Sequence, residues 1–231
     1  MARFYGIGIG PGDSELVTVK ASRILGELDI LYTPEAKRGA KSLALEIAGP
    51  YLGEELMIKQ RHFPMVRDKS HKEGQWQEIA EEIVADVQAG KNVGFITLGD
   101  PMVFSTYSYL LDLIGHRIET KTIPGITSYN SIAAEVGLPL VMDEESFAVV
   151  PATAGVQQLE TVLRTHDTIV IMKVANHLAE VLPLLKRLDL LEKTILVSRS
   201  STDQQEIRHG IADLSLDEKL SYFSTMLVKK H

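Results

Sequence analysis

The chain predicts an α/β protein of two α/β domains with an interdomain cleft. Three observations carry that expectation. Short apolar runs alternate with segments of helical periodicity from one end to the other. Two of these runs stop in compact turns, Gly99-Asp100-Pro101 after Val93–Leu98 and Pro124-Gly125 after Ile118–Ile123. Later the pattern changes pace: Gln205–Ile211 and Tyr222–Val228 lack helical spacing and read as antiparallel strands of a mixed sheet. The boundary is expected at Pro124, dividing an N-terminal domain over 1–123 from a C-terminal domain over 124–231.

Each element follows from local pattern. Residues 2–9 form an apolar run ending in Gly10-Pro11-Gly12-Asp13, and apolar residues at 16, 17, 21, 24, 25 and 28 then repeat at helical spacing. Asp29–Thr33 is a short strand stopped at Pro34. Over 74–89, Trp76, Ile79, Ile83 and Val87 share one helical face, with Gly90 where a helix stops. Val93–Leu98 is a strand, Met102–Ile114 a helix behind the Gly-Asp-Pro turn, and a further helix runs from Thr127 to residue 136. Phe147–Val150, Thr168–Met172 and Thr194–Ser198 are strands separated by amphipathic helices over 155–165 and 176–188.

Composition excludes several classes. A length of 231 residues with 45% hydrophobic content supports a substantial core. A net charge of −7 argues against nucleic acid as the partner. The absence of cysteine rules out disulfides and a cysteine nucleophile and fits a cytoplasmic location. No run approaches the ~20 apolar residues of a membrane span, and Phe4–Ile9 reads as a first strand rather than a signal peptide. The seven histidines lack metal-ligand spacing, so no protein-bound metal is expected.

The turns hold the chemistry. GIGIGPGD at 6–13 departs from the dinucleotide fingerprint, because Pro11 or Asp13 stands where its last glycine belongs. Asp13 suits either a helix cap or the wall of a ligand site. Asp100 lies at a strand's carboxyl edge, where open α/β sheets hold ligands. Its carboxylate can accept from a sugar hydroxyl or an ammonium group, or cap the helix behind it. Thr127 and Ser128 offer hydroxyls and helix-terminal amides, and Ser105 and Thr106 stand in a similar position. Met172 ends a strand, as a packing group or a ligand contact. Residues 59–72 set five Lys or Arg and two His against one acid and read as a loop, with Phe63, Pro64 and Met65 interrupting the charge. That combination fits a flat polycarboxylate; single-stranded nucleic acid and a plain solvated loop are the other readings.

Together, GIGIGPGDSELVTVKA at 6–21, TLGDPMVFSTYSYL at 97–110 and PGITSYNSIAAEVGLPL at 124–140 resemble the tetrapyrrole methylases, the class III S-adenosylmethionine-dependent methyltransferases, along nearly the whole chain. FPMVRD at 63–68 followed by Trp76 is similar to the branch that methylates carbon 20 of precorrin-2 or cobalt-factor II in cobalamin biosynthesis. The resemblance implies a homodimer, a tetrapyrrole acceptor and S-adenosylmethionine as methyl donor in the interdomain cleft. Donor contacts carry over to Ile9, Pro11, Asp100, Met102, Val103, Thr127, Ser128 and Met172. The acceptor is expected over the Gly10–Asp13 loop, met by Asp13, Arg61, His62 and Arg67. Tyr107 and Asp13 are candidates for a general base, but spacing forces neither. Related methyltransferases acting on another corrin position, a diphthamide precursor or ribosomal RNA, and a non-catalytic binder, remain the alternatives.

Overall fold

A computed structural model describes residues 1–34, 42–62 and 69–231, the side chains of 69–73 excepted. The chain divides into two compact units, Met1–Thr127 and Ser128–His231.

In the first unit five strands, β1 (Phe4–Gly8), β2 (Ile30–Pro34), β3 (Met57–Arg61), β4 (Val93–Thr97) and β5 (Thr120–Ile123), form a sheet in the order β3-β2-β4-β1-β5. Every pairing is parallel. Helices α1 (Val19–Gly26) and α2 (Leu43–Ala48) bury Ile24, Leu25 and Ile47 against Ile7, Leu31 and Ile96. Helices α3 (Lys69–Gln88) and α4 (Tyr107–Ile114) bury Ile79, Ile83, Leu110 and Ile114 with Phe4, Tyr32 and Phe95. Both sheet faces are thus covered, which is why β1 and β4 read as unbroken apolar runs.

Three elements differ from the expectation. Helix α1 starts at Val19 rather than near Leu16. Thr18 Oγ1 accepts from Ala21 N at 3.2 Å to cap it, while Asp13 accepts from Glu15 N at 2.8 Å to cap a separate short turn over Ser14–Leu16. Residues 59–61, read as part of a loop, belong to edge strand β3. Lys59 and Arg61 pair with acids of α3, so the strand lacks an apolar rhythm, and such charges discourage further pairing along an edge. Helix α4 begins at Tyr107, later than Met102, since Phe104 adopts a positive φ of 48°.

At the sheet's carboxyl edge three backbones meet. A Cβ on Gly125 would lie 2.1 Å from the Gly99 oxygen and 2.8 Å from Gly8 Cα, and one on Gly8 would lie 2.6 Å from Gly125 N. Gly99 N donates to Gly10 O at 2.7 Å, so the loops after β1 and β4 also pair. Only residues without a side chain permit this approach.

The second unit contains α5 (Ser128–Glu135), β6 (Phe147–Pro151), α6 (Val156–Thr165), β7 (Thr168–Met172), α7 (Leu178–Arg187), β8 (Thr194–Ser198), β9 (Glu206–His209) and β10 (Ser224–Lys229). Its sheet order is β6-β7-β10-β8-β9. β6 and β7 are parallel, while β10 runs antiparallel to β7 and β8, and β9 to β8. The mixed sheet expected from the late strands is present. α6 and α7 cover one face, and Ile132 of α5 packs with Val170, Val197 and Leu227 on the other. Among the described residues no helix is long and apolar enough to cross a membrane.

Two glycine substitutions should move stability in opposite directions. Gly125→Ala should cost about 3 kcal/mol, the upper end of overpacking. Gly74→Ala, inside α3 with nothing near its missing Cβ, should gain about 0.5–1 kcal/mol. Urea unfolding of the two variants checks both signs.

Candidate functional site

Because β1, β4 and β5 are parallel, their carboxyl ends open at one edge, and the loops there carry most of the expected residues. Asp100 is fully engaged in shaping that edge. Its Oδ2 accepts from Gly125 N at 3.0 Å and its Oδ1 from Met102 N at 2.8 Å. It is not the cap of α4. Thr106 holds the N-cap position without a side-chain bond, and Ser105 Oγ, one residue earlier, accepts from Tyr107 N at 3.1 Å and donates to Thr97 Oγ1 at 3.0 Å. Each Asp100 oxygen retains a lone pair for a further donor. Val103 N donates to Asp100 O at 3.2 Å, closing the turn beneath the exposed Met102.

Thr127 follows two residues after Gly125. It is buried, and its Oγ1 has no hydrogen-bond partner in the protein. An unpaired buried hydroxyl is costly unless a ligand or water meets it. Ser128, the next residue, opens α5. Pro11 lies half-buried in the first loop. Ile9 is wholly buried in the core, and its N–H donates to Thr97 O at 3.1 Å, so it supports the loop from beneath. Asp13 is half-buried and caps the short turn.

Arg61 is committed elsewhere than expected. Its Nε and Nη2 reach Glu82 Oε2 and Oε1 at 2.9 and 2.5 Å, and its Nη1 donates to Gln60 O at 2.9 Å. Lys59 Nζ meets Asp86 Oδ2 at 2.7 Å, Glu82 Oε1 at 3.1 Å and Tyr32 Oη at 3.2 Å. Tyr32 in turn donates to Asp86 Oδ2 at 2.6 Å. Two cations and two carboxylates thus balance where the sequence suggested surplus positive charge. Arg61 fastens β3 to α3 in this structure, and a carboxylate ligand would have to draw it from Glu82. His62 is exposed at the strand's end, while Arg67 and the rest of 63–68 lie outside the described residues.

Proton affinities follow from these contacts. Arg61 hydrogen bonds hold the Glu82 carboxyl below its ordinary value of 4.5. Burial, then the Asp86 hydrogen bond, raises the Tyr32 phenol. Burial also raises Tyr107, whose hydroxyl pairs with Thr122 Oγ1 at 2.8 Å and whose ring packs near Phe4 and Phe95. Tyr107 is therefore a neutral core group and not the base the sequence left open.

In the second unit, half-buried Met172 ends β7 and packs against the cluster of Ile132, Val170, Val197 and Leu227. The sequence reading passed over the turn after β8. There Arg199 and Ser201 both have positive φ, Ser201 N donates to Gln205 Oε1 at 2.7 Å, and Ser131 and Ser201 hydroxyls meet at 2.5 Å. Buried Ser200 Oγ is unpaired. The signal was available as a hydroxyl-rich run, Ser200-Ser201-Thr202, directly after an apolar strand.

A parallel sheet with glycine-tight strand ends, joined to a mixed sheet, defines the class of α/β protein that takes a small ligand at its carboxyl edge. The chain belongs to the tetrapyrrole (corrin/porphyrin) methylases, whose family model matches residues 3–214. It is 42% identical to the cobalt-precorrin-2 C(20)-methyltransferase of Salmonella typhimurium, over 99% of this chain and 96% of that protein. It is 30% identical to the precorrin-2 C(20)-methyltransferase of a Sinorhizobium species, over 99% and 95%. A solved uroporphyrin-III C-methyltransferase from Thermus thermophilus, complexed with S-adenyl homocysteine, matches with a TM-score of 0.72 at 25% identity, over 99% of this chain and 98% of that one.

Two variants check the site's mechanics. Asp100→Ala, which frees two backbone amides, should lower unfolding free energy by about 2 kcal/mol in urea titrations. Glu82→Gln should lower it by about 1 kcal/mol at neutral pH, since the pair is partly screened. Because the folded Glu82 titrates below 4.5, that deficit should persist above about pH 4.5 and fade as pH falls through the folded value.

Proposed function

We propose that this chain transfers a methyl group from S-adenosylmethionine to carbon 20 of precorrin-2 or cobalt-factor II, with the cobalt-bearing ring preferred, during corrin-ring synthesis. The observation that carries the reading is the end-to-end identity with the Salmonella C(20)-methyltransferase. The lower identity, 30%, with the relative named precorrin-2 C(20)-methyltransferase favours the cobalt-bearing acceptor. A homodimer and a cytoplasmic setting belong to the same proposal.

The carboxyl edge suits such a donor. Thr127 has a buried hydroxyl in need of a partner, and Asp100 is held rigid with lone pairs left over. Bound there, S-adenosylmethionine supplies a methyl group already activated on sulfur. The chain's task is then chiefly alignment, which contributes roughly 7–11 kcal/mol to such reactions. Thr127 and Ser128 would hold a polar edge of the donor, and Asp100 would accept from its hydroxyl or ammonium protons. Pro11, Met102, Val103 and Met172 would supply apolar contact, with Ile9 supporting the first loop. On the acceptor side the proposal assigns Asp13, His62 and Arg67, with Arg61 anchoring the strand that leads to them.

An anaerobic assay with labelled S-adenosylmethionine, offering cobalt-factor II and precorrin-2 in parallel, tests the reading. NMR should locate the new methyl at carbon 20, with faster turnover of the cobalt-bearing ring. A donor that binds without either acceptor being methylated would defeat the proposal. Thr127→Val should leave stability unchanged or raise it, because a methyl replaces an unpaired hydroxyl. It should raise the Kd for S-adenosylhomocysteine about tenfold by calorimetry.

A further inference from the structure

Ion pairs engage the arginines of this chain with one exception. Every other arginine whose side chain is described meets a carboxylate, Arg61 with Glu82 and Arg208 with Glu218 among them. Arg199, in the turn after β8, is exposed and forms no ion pair or side-chain hydrogen bond among the described residues. The chain carries a net charge of −7, so acidic partners are not scarce.

The backbone sets the same residue apart. Arg199 has a left-handed φ of 52°, a conformation uncommon for a residue with a side chain and free of steric cost for glycine. Both of its main-chain groups are held. Arg199 N donates to Phe223 O at 2.9 Å, and Arg199 O accepts from Thr202 N at 3.2 Å and from Thr202 Oγ1 at 2.8 Å. Ser201 N, the next along, donates to Gln205 Oε1 at 2.7 Å. The turn thus fixes the point from which the Arg199 stem departs. Strain kept at such an over-determined position points to a functional constraint.

Topology puts this turn at one edge of the second sheet. β7 and β8 lie on either side of β10 and both run antiparallel to it, so they end at the same edge. Met172 closes β7, and Arg199 directly follows Ser198, the last residue of β8. The unpaired cation therefore leaves the sheet at the edge that carries Met172.

We infer that Arg199 is a carboxylate-binding residue of the second unit, holding a side-chain carboxylate of the tetrapyrrole acceptor. The inference rests on the proposed function for the identity of the acceptor. Arg61, the cation expected to meet that polycarboxylate, is committed to Glu82, so another must serve. A guanidinium presents two parallel N–H donors that match a carboxylate. The donor also has a carboxylate, but its own ammonium group stands beside it and offsets its charge.

Uroporphyrin, a stable ring rich in carboxylates, is the probe, with binding followed by its fluorescence anisotropy. Arg199→Gln removes the charge and keeps most of the stem. It should weaken uroporphyrin about tenfold, raise the acceptor KM by a similar factor and leave the S-adenosylhomocysteine Kd unchanged. It should also flatten the salt dependence of uroporphyrin affinity. Arg164→Gln, which removes an equal charge from an exposed pair on α6, should shift none of these. Arg199→Lys keeps the charge without the fork and should fall between parent and Arg199→Gln. Arg199→Gly relieves the backbone while deleting the side chain. It should bind as Arg199→Gln does, with a melting temperature at or above the parent's, which separates a lost contact from a lost fold.

Parental uroporphyrin affinity and acceptor KM in Arg199→Gln and Arg199→Gly would overturn the inference. So would weakened S-adenosylhomocysteine with an unchanged ring, which would assign Arg199 to the donor's carboxylate, or a changed sedimentation coefficient, which would assign it to an interface between copies. Failure of the parent to bind uroporphyrin also overturns it. If the parent methylates neither acceptor yet uroporphyrin affinity still falls in Arg199→Gln, the proposed function fails and the carboxylate site stands.

Discussion

The carboxyl edge of the first unit depends on one steric condition: the Gly99 oxygen occupies the space where any side chain on Gly125 would begin. Gly8 at the end of β1 is the floor beneath both. With three backbones this close, the loops after β4 and β5 have little freedom left. Asp100 then bridges them, accepting from Met102 N in its own turn and from Gly125 N in the next. Thr127, Phe104 and Ser105 all lie within a few residues of this bridge, and their positions derive from it. A wider contact would leave the unpaired Thr127 hydroxyl without a defined location.

Charge is organised with the same economy on the sheet's outer strand. An isolated Lys59 and Arg61 on edge strand β3 would suggest a patch attracting anions. Glu82 and Asp86 of α3 neutralise both, and the Tyr32 ring lies under the two cations at 5.3 and 5.8 Å. Held this way, the network gives an apolar-poor strand a defined partner layer. It also keeps the strand's end, at Arg61, in a fixed register with Pro34.

A methyl transfer from an already activated donor asks for alignment more than for proton traffic. Titrating groups of the first unit with displaced affinities fit that demand, Glu81 among them, its carboxyl lowered by its Arg117 hydrogen bonds. Tyr32 and Glu82 face each other's partners, and Tyr107 is a buried packing group bonded to Thr122. Membership of the tetrapyrrole methylases accords with a site whose conspicuous features are stiff loops, an unpaired hydroxyl and a left-handed backbone at Phe104.

The sequence by itself determined the alternation of strands and helices, the mixed character of the second sheet, and the strand-end loops that carry the candidate residues. Those features are local: a sheet covered on both faces demands continuous apolar runs, and a tight strand-to-helix turn demands glycine and small capping residues. Strand β3 stayed illegible because cross-layer ion pairs, rather than apolar periodicity, hold its inner face. The start of α1 was hidden because Asp13 and Thr18 both look like caps, and only the fold assigns one to the short turn and the other to the helix. Whether Asp100 caps a helix or bridges two loops, whether Arg61 is free or paired, and why Phe104 departs from ordinary backbone depend on residues distant in sequence. Gly125, Glu82 and Thr97 come to these positions through sheet order and helix packing, and no local pattern along the chain encodes that approach.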